Sequence, residues 1–358
     1  MHDFATPDPR EPAASLAHAS TSASALANAL QHDVSGTDVF TLINQHCPHL
    51  FAAGPVQLAA PQAARMAQLV QAIEEVLALP AYQAAVLAGA PPVARHDPGA
   101  RGVFCGYDFQ VGPGTVGLID INTNAGGALL NASLARAGGG SAGAERALAL
   151  EEAIVDMFRT EWHLGGRSTP LRTIVIVDDE PENQYLYPEF LLFRQLFARH
   201  DIEALIVDPS MLRWEAGSLW RGDLIVDLVY NRLTDYMLDA PEHAALHEAY
   251  LARAVVLTPH PRAHALYADK RNLALLADDD SLAALGVSET TRAVLRDALA
   301  GALAGALTGE MRHGAPGQGG FDIRCYTYCG ALQWTAARLW PEQAGAGRAY
   351  ALVHQAGA

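Results

Sequence analysis

Gly106-Tyr-Asp-Phe-Gln-Val-Gly-Pro-Gly-Thr-Val-Gly-Leu-Ile-Asp-Ile-Asn-Thr-Asn-Ala-Gly-Gly127 is the stretch around which the chain is organised. Val103 to Val111 is strand-like, Gly112-Pro113-Gly114 turns, and Val116 to Ile121 returns, so the segment predicts a hairpin. A three-residue loop at 113–115 sets Asp108 directly opposite Asp120. Facing carboxylates repel and are disfavoured on a sheet. A bound divalent cation removes that penalty. Asn122, two residues on, points to the same side and adds a carbonyl oxygen. Two carboxylates and an amide oxygen suit Mg²⁺, which takes a few hard oxygen ligands and shares the rest with phosphates and water. The plainer alternative is that these acids cap the strand end or face solvent.

The 358 residues leave room for two or three domains and a substantial core. Half the residues are hydrophobic and 18% are charged, an ordinary globular composition. A formal charge of −15 argues against nucleic acid or an anionic membrane as partner. No apolar run approaches the roughly 20 residues that span a bilayer. The cysteines (Cys47, Cys105, Cys325, Cys329) form no disulfide framework, and Cys325 and Cys329 read as small buried hydrophobes on one strand face. The first 30 residues lack the basic start and continuous apolar core of a secretory signal, so a reducing cytoplasm is the expected location. Lys270 is the only lysine among 24 basic residues, so any chemistry that needs a lysine must use it.

Residues 1–35, rich in Ala, Ser, Pro and His, read as a flexible leader. Met66, Leu69, Val70, Ile73, Val76 and Leu77 recur at helical spacing. After the hairpin, Asn124-Ala-Gly-Gly127 opens onto a helix over 128–137, whose first N–H groups can face an anion. Residues 135–144 are Gly-rich and read as mobile. From Thr173 the texture changes. Apolar strands at 173–177, 202–207, 224–230 and 255–257 alternate with helices at 187–200 and 242–254, which implies a parallel sheet covered by helices. Ligands collect at the carboxyl ends of such strands. There the chain places Asp178, Asp179 and Glu180, and the group from Asn231 and Arg232 to Tyr236. Arg232 either binds a substrate carboxylate or pairs with Asp235 on the surface. Near the end, Phe321-Asp-Ile-Arg-Cys-Tyr-Thr-Tyr328 alternates, with Asp322, Arg324, Tyr326 and Tyr328 on one face. A Gly turn and a returning strand then lead to Arg338. Structurally, Arg324 and Arg338 can pair with Asp322 and Glu342.

An acid, a dozen residues, then acid-x-Asn and small residues resembles the Mg²⁺ signature of the ATP-grasp enzymes. The resemblance implies Asp108, Asp120 and Asn122 as metal ligands, with Asp at 120 where the family has Glu. Asp269-Lys270 opening a helix looks like the family segment whose lysine reaches nucleotide phosphates, and Asp322-Ile-Arg324 with Ala-Ala-Arg338 looks like the one whose arginines hold phosphate or acyl phosphate. A cation at a helix start is disfavoured by the macrodipole, a cost a nearby anion offsets. Tyr230-Asn231-Arg232 is similar to the substrate-binding segment of eukaryotic-type glutathione synthetases, and Asn124 is a further substrate-binding candidate.

On that likeness the chain resembles circularly permuted, glutathione-synthetase-like ATP-grasp proteins. The expected fold is α/β: a parallel-sheet, Rossmann-like pre-ATP-grasp domain at 169–260 plus a reduced α+β ATP-grasp domain, its metal hairpin in 36–168 and its remaining segment in 261–358. The resemblance implies ATP and Mg²⁺ as cofactors, small carboxylate and amine (or thiol) substrates, and joining through an acyl phosphate. The chain departs from the family at 277–320, where a nucleotide-clamping subdomain with a second lysine is expected and Ala/Leu-rich helix stands instead. Two readings therefore remain: a ligase, alone, as a homo-oligomer or completed by another subunit, and a non-catalytic relative that binds nucleotide, metal or a partner protein. A dinucleotide-dependent dehydrogenase is disfavoured because no Gly-x-Gly-x-x-Gly fingerprint is present.

Overall fold

The alternating and the continuously apolar strands of the sequence end up in two different sheets. The computed structural model describes residues 22–30, 36–52, 54–112, 115–308, 320–339 and 348–356. Its helices are α1 (Ala23–Leu30), α2 (Val39–His46), α3 (Ala60–Leu77), α4 (Pro80–Ala88), α5 (Pro92–Arg95), α6 (Ala128–Gly138), α7 (Gly140–Leu164), α8 (Tyr187–Ala198), α9 (Ala244–Leu251), α10 (Pro261–Tyr267), α11 (Lys270–Leu276), α12 (Asp279–Ala284) and α13 (Glu289–Thr308). The strands are β1 (Val56–Ala59), β2 (Cys105–Gly112), β3 (Thr115–Asn122), β4 (Thr173–Val177), β5 (Glu203–Val207), β6 (Leu212–Glu215), β7 (Ser218–Arg221), β8 (Leu224–Ile225), β9 (Leu228–Asn231), β10 (Val256–Thr258), β11 (Phe321–Tyr328), β12 (Ala331–Leu339), β13 (Ala349–Ala351) and β14 (Val353–Ala356).

The apolar strands form a parallel sheet in the order β10-β9-β4-β5. All five residues of β4 are buried, as continuous Val/Ile runs covered on both faces require. The connection from β4 through α8 runs to one side and that from β9 through α9 to the other. A switch point therefore lies between β4 and β9, and the crevice beyond their carboxyl ends is where ligands of such sheets bind. The strand expected over 224–230 is divided: 224–225 joins a small antiparallel β6-β7-β8 sheet, and only 228–231 enters the parallel one.

The second sheet is antiparallel, in the order β13-β12-β11-β2-β3, and combines segments from both sides of the parallel-sheet region. Cores form on both of its faces. Tyr107, Phe109, Leu118, Ile121, Ile323 and Cys325 pack with α3 and α13 on one face, while Tyr326, Trp334, Ala336 and Tyr350 pack toward α6, α7 and α8 on the other. That second core also takes in Ile174 and Ile176 of β4, so packing is continuous across residue 168.

Asp108 does pair with Asp120, but not through the expected loop. Gly112 pairs with Thr115, and the register then shifts by one between Phe109–Leu118 and Asp108–Asp120. Ile119 is the extra residue of a β-bulge. The bulge has a physical reason: Leu118 and Ile121, three apart, both reach the α3 core, while Asp120 and Asn122 face the other way.

Two expectations about mobile segments change. Residues 23–30, assigned by composition to the leader, form α1, and Leu26, Ala29 and Leu30 are buried in the core that α6 lines; the remaining leader positions 1–21 and 31–35 lie outside the described residues. Leu30→Ala, at a side chain with no exposure, is expected to destabilise the fold by about 2–5 kcal/mol in urea unfolding. An unshifted midpoint would show α1 to be dispensable. The Gly-rich stretch 135–144 is a helix–helix junction: a Cβ on Gly143 would lie 2.3 Å from the carbonyl oxygen of Ala135, so glycine permits the close approach of α6 and α7. Cys325 is buried as expected, whereas Cys329 is exposed in the β11–β12 turn at φ +48°. All four cysteines are free.

Candidate functional site

The face of the antiparallel sheet turned toward α6 carries a chain of buried ions. Arg324 of β11 grips Asp108 of β2 in a two-point fork, Nε to Oδ1 and Nη2 to Oδ2, both at 2.6 Å. Strand pairing aligns them, since Arg324 is the register partner of Asp108. Arg338 of β12 brings Nη2 to 2.7 Å from Asp108 Oδ2, a charge contact without hydrogen-bond alignment, and donates Nε to Asp322 Oδ1 at 2.6 Å. Arg348 stands 3.4 Å from the other Asp322 oxygen. Of the two structural pairings the sequence allows, Arg338–Asp322 forms, and Glu342 lies outside the described residues. Burial pushes the Asp108 carboxyl up, but Arg324 and Arg338 outweigh it and hold it below the usual carboxylate range.

Asn122 donates Nδ2 to Asp108 Oδ2 at 3.0 Å, which leaves its Oδ1 as an acceptor. Asp120 is different from Asp108. One of its oxygens accepts the Ile121 N–H at 3.0 Å. Burial and then the charge of Asp108 raise its pKa, against the pull of Ile121, Lys270 and Arg324. Lys270, the exposed first residue of α11, is thus felt at Asp120 yet pairs with no acid among the described residues. The helix start is capped by Asp269, whose side chain accepts the Arg271 N–H.

Beyond β3 the loop turns sharply into α6. Tyr326 and Tyr350 both donate their hydroxyls to Gly126 O, at 2.7 and 3.2 Å. Gly127 sits at φ +101°, and a Cβ there would lie 2.3 Å from the Tyr350 ring, so only glycine fits. The N–H groups at the start of α6 do meet an anion, and it is internal: Glu189 of α8 accepts from Gly127 at 2.7 Å and Leu129 at 3.0 Å. Burial pushes this carboxyl up, while Arg232 and the two N–H groups pull it down.

Arg232 stands where β9 ends. It does not pair with Asp235. It donates Nη1 to Asn124 O at 2.5 Å and lies 5.9 Å above Phe190 and 5.5 Å from the Tyr230 ring centre, with Nε buried and without an acceptor among the described residues. Glu189 and Asp178 supply opposing charge nearby. Asn124 also donates to Leu233 O at 3.4 Å. Asn231 braces its own loop, donating to Pro259 O at 3.3 Å and accepting from Leu233 N at 3.1 Å.

Asp108, Asp120, Asn122, Asn124, Arg232, Arg324 and Arg338 thus converge, Lys270 stands within electrostatic reach of Asp120, and Asn231 serves as a brace. Glu189, Tyr350 and Arg348 were not anticipated. A signal existed for Glu189, an acid sharing the apolar stripe of α8 with Phe193 and Leu196.

The donor set tests the implied metal. Both Asp108 oxygens are taken by guanidinium groups, so Asp108 is a counter-ion. Asp120 and the free Asn122 oxygen remain as hard donors. Among the described residues no cluster of three or more His, Cys, Asp or Glu surrounds a metal-sized point. This set fits Mg²⁺ only as an ion completed by phosphates and water, its usual manner of binding. Residues 277–308 hold only helix between their connections, so no described strand there offers an adenine clamp. No described helix is long and apolar enough to cross a membrane.

No family model and no curated protein matches the chain. Among solved structures it is similar to a glutathione synthetase-like effector from Globodera pallida in its apo form. That match has 12% identity and a TM-score of 0.53, and covers 85% of this chain and 90% of that one. Likeness at that identity bears on architecture alone: the chain shares the α/β fold of that glutathione synthetase-like structure.

Proposed function

We propose that this protein is an ATP- and Mg²⁺-dependent carboxylate–amine, or carboxylate–thiol, ligase-like protein acting through an acyl phosphate. The supporting observation is convergence. Asp120 stands opposite Asp108, the carboxylate that Asn122, Arg324 and Arg338 contact, and the switch-point Arg232 reaches the loop after the same strand through Asn124 O. Asp120 and Asn122 would hold Mg²⁺, which neutralises phosphate charge when bound. Lys270 would meet the nucleotide phosphates, Arg324 and Arg338 the transferred phosphoryl group, and Arg232 with Asn124 the substrate carboxylate. These residues position and neutralise rather than react, which is how phosphoryl transfer is mostly catalysed. The circular permutation and the reduced clamp belong to the same proposal, as do a completing subunit or second copy and a cytoplasmic setting.

A specific observation favours the second reading, a non-catalytic relative. Arg324 and Arg338 already have carboxylate partners at 2.6 Å, so the network is closed without any ligand.

Calorimetric titration with ATP, with and without Mg²⁺, separates the two. Asp120→Asn removes a repulsion from Asp108 and is expected to fold normally. Metal-dependent ATP binding that this variant reduces by roughly tenfold or more, a loss of about 1.4 kcal/mol, supports the ligase site. ADP release on adding carboxylate and amine then identifies turnover. Absence of ATP binding in the wild-type protein overturns a self-sufficient ligase.

A further inference from the structure

The carboxyl-end crevice of the parallel sheet contains a cluster that the proposed nucleotide site does not use. His243 closes the short 3-10 turn Pro241–His243 and its side chain is only 3% exposed. Its Nδ1 lies 2.7 Å from Asp235 Oδ2, and its Nε2 lies 2.9 Å from Asp179 Oδ1. Asp179 follows β4 and Asp235 follows β9, the two strands that flank the switch point. Carboxylates accept and cannot donate, so an imidazole bonded to one at each nitrogen must carry both protons.

We propose that protonated His243 is a pH-sensitive latch that fastens the loop after β4 to the loop after β9 across this crevice. A neutral ring keeps one N–H. Asp235 also accepts the Ala240 N–H at 2.9 Å and anchors its turn, so the Asp179 contact is the one lost. There the bare Nε2 lone pair would face a carboxylate, and Asp179, 51% exposed, is free to swing into water. The charged groups facing the ring come from three strand ends: Asp178 and Asp179 beyond β4, Asp208 beyond β5 and Asp235 beyond β9. All are acids, and the sum of their fields favours the cation.

Burial pushes His243 down, but the bonds to Asp179 and Asp235 prevail and hold it above its ordinary value. The sign follows. A histidine with a raised folded-state pKa contributes stability that is complete below about 6.5 and is lost as pH rises through the folded value. Asp178, raised by burial to about 6 despite Arg232, gains its charge at the acid end of the same range. The latch is closed in mild acid and opens in mild base.

The test is NMR on the full chain: ring ¹⁵N shifts of His243 and amide protection factors over 178–186 and 240–244 across pH 5.5–9. His243 is expected to titrate above 6.5, with protection in both loops falling roughly tenfold through the same midpoint. Asp179→Asn alters a half-exposed side chain and supplies an N–H to a neutral ring. It is expected to lower the His243 midpoint by about one unit or more and abolish the pH dependence of protection. A His243 neutral at pH 6.5, loops equally protected on both sides of its midpoint, or an Asp179→Asn protein with wild-type pH dependence would each overturn the latch.

Discussion

Asp108→Ala is expected to lower the free energy of unfolding by about 3–5 kcal/mol, measured by urea denaturation near neutral pH. The loss does not measure what the ion pairs contribute to stability. It arises because Arg324 and Arg338, 7% and 4% exposed, would keep their charge in a site that water reaches only at its edge. Removing one partner of a buried network costs far more than replacing the whole network by apolar groups of the same size. Asp108→Ala combined with Arg324→Ala is therefore expected to cost less than the sum of the two single changes. If Asp108→Ala costs under about 1 kcal/mol, the guanidinium groups find other partners and the closed network is not a structural element.

Glu189→Ala carries the second large effect, again about 3–5 kcal/mol. The variant leaves the N–H groups of Gly127 and Leu129 without their acceptor and removes charge that faces Arg232. Glu189→Gln keeps one acceptor oxygen and is expected to cost clearly less. The helix that opens at Gly127 would loosen, so hydrogen exchange at the start of α6 should rise in the Ala protein before global unfolding. An unchanged exchange rate there, with normal stability, would show that the helix start is satisfied in some other way.

Much of the architecture was legible along the chain because its causes are local. Thr173–Val177 has the continuous β-branched texture of a strand covered on both sides, and β4 occupies those residues. The period-2 alternation of β11 placed Asp322, Arg324, Tyr326 and Tyr328 on one face, and their partners Arg338, Asp108, Gly126 and Glu161 all lie on that side. Asp108 opposite Asp120 was also legible, although the loop length inferred for it was wrong by one residue. A bulge at Ile119 restored the pairing, because keeping Leu118 and Ile121 together in the α3 core was worth an irregular ladder. The alternation of Leu118-Ile119-Asp120-Ile121 breaks there, and that break was the available signal.

Element types, the parallel sheet, the carboxyl-end crevice and the short set of polar residues facing it were determined by the sequence alone, since periodicity, turn chemistry and strand composition act over a few residues. Which charge meets which was decided only by tertiary structure. Arg324 binds Asp108 across 216 positions, and Glu189 caps a helix whose N-cap residue, Gly127, lies 62 residues earlier. Arg232 turns to Asn124 rather than to its neighbour Asp235, which goes to His243. Buried ions select partners by geometry and desolvation, quantities that exist only once distant strands and helices have packed against one another.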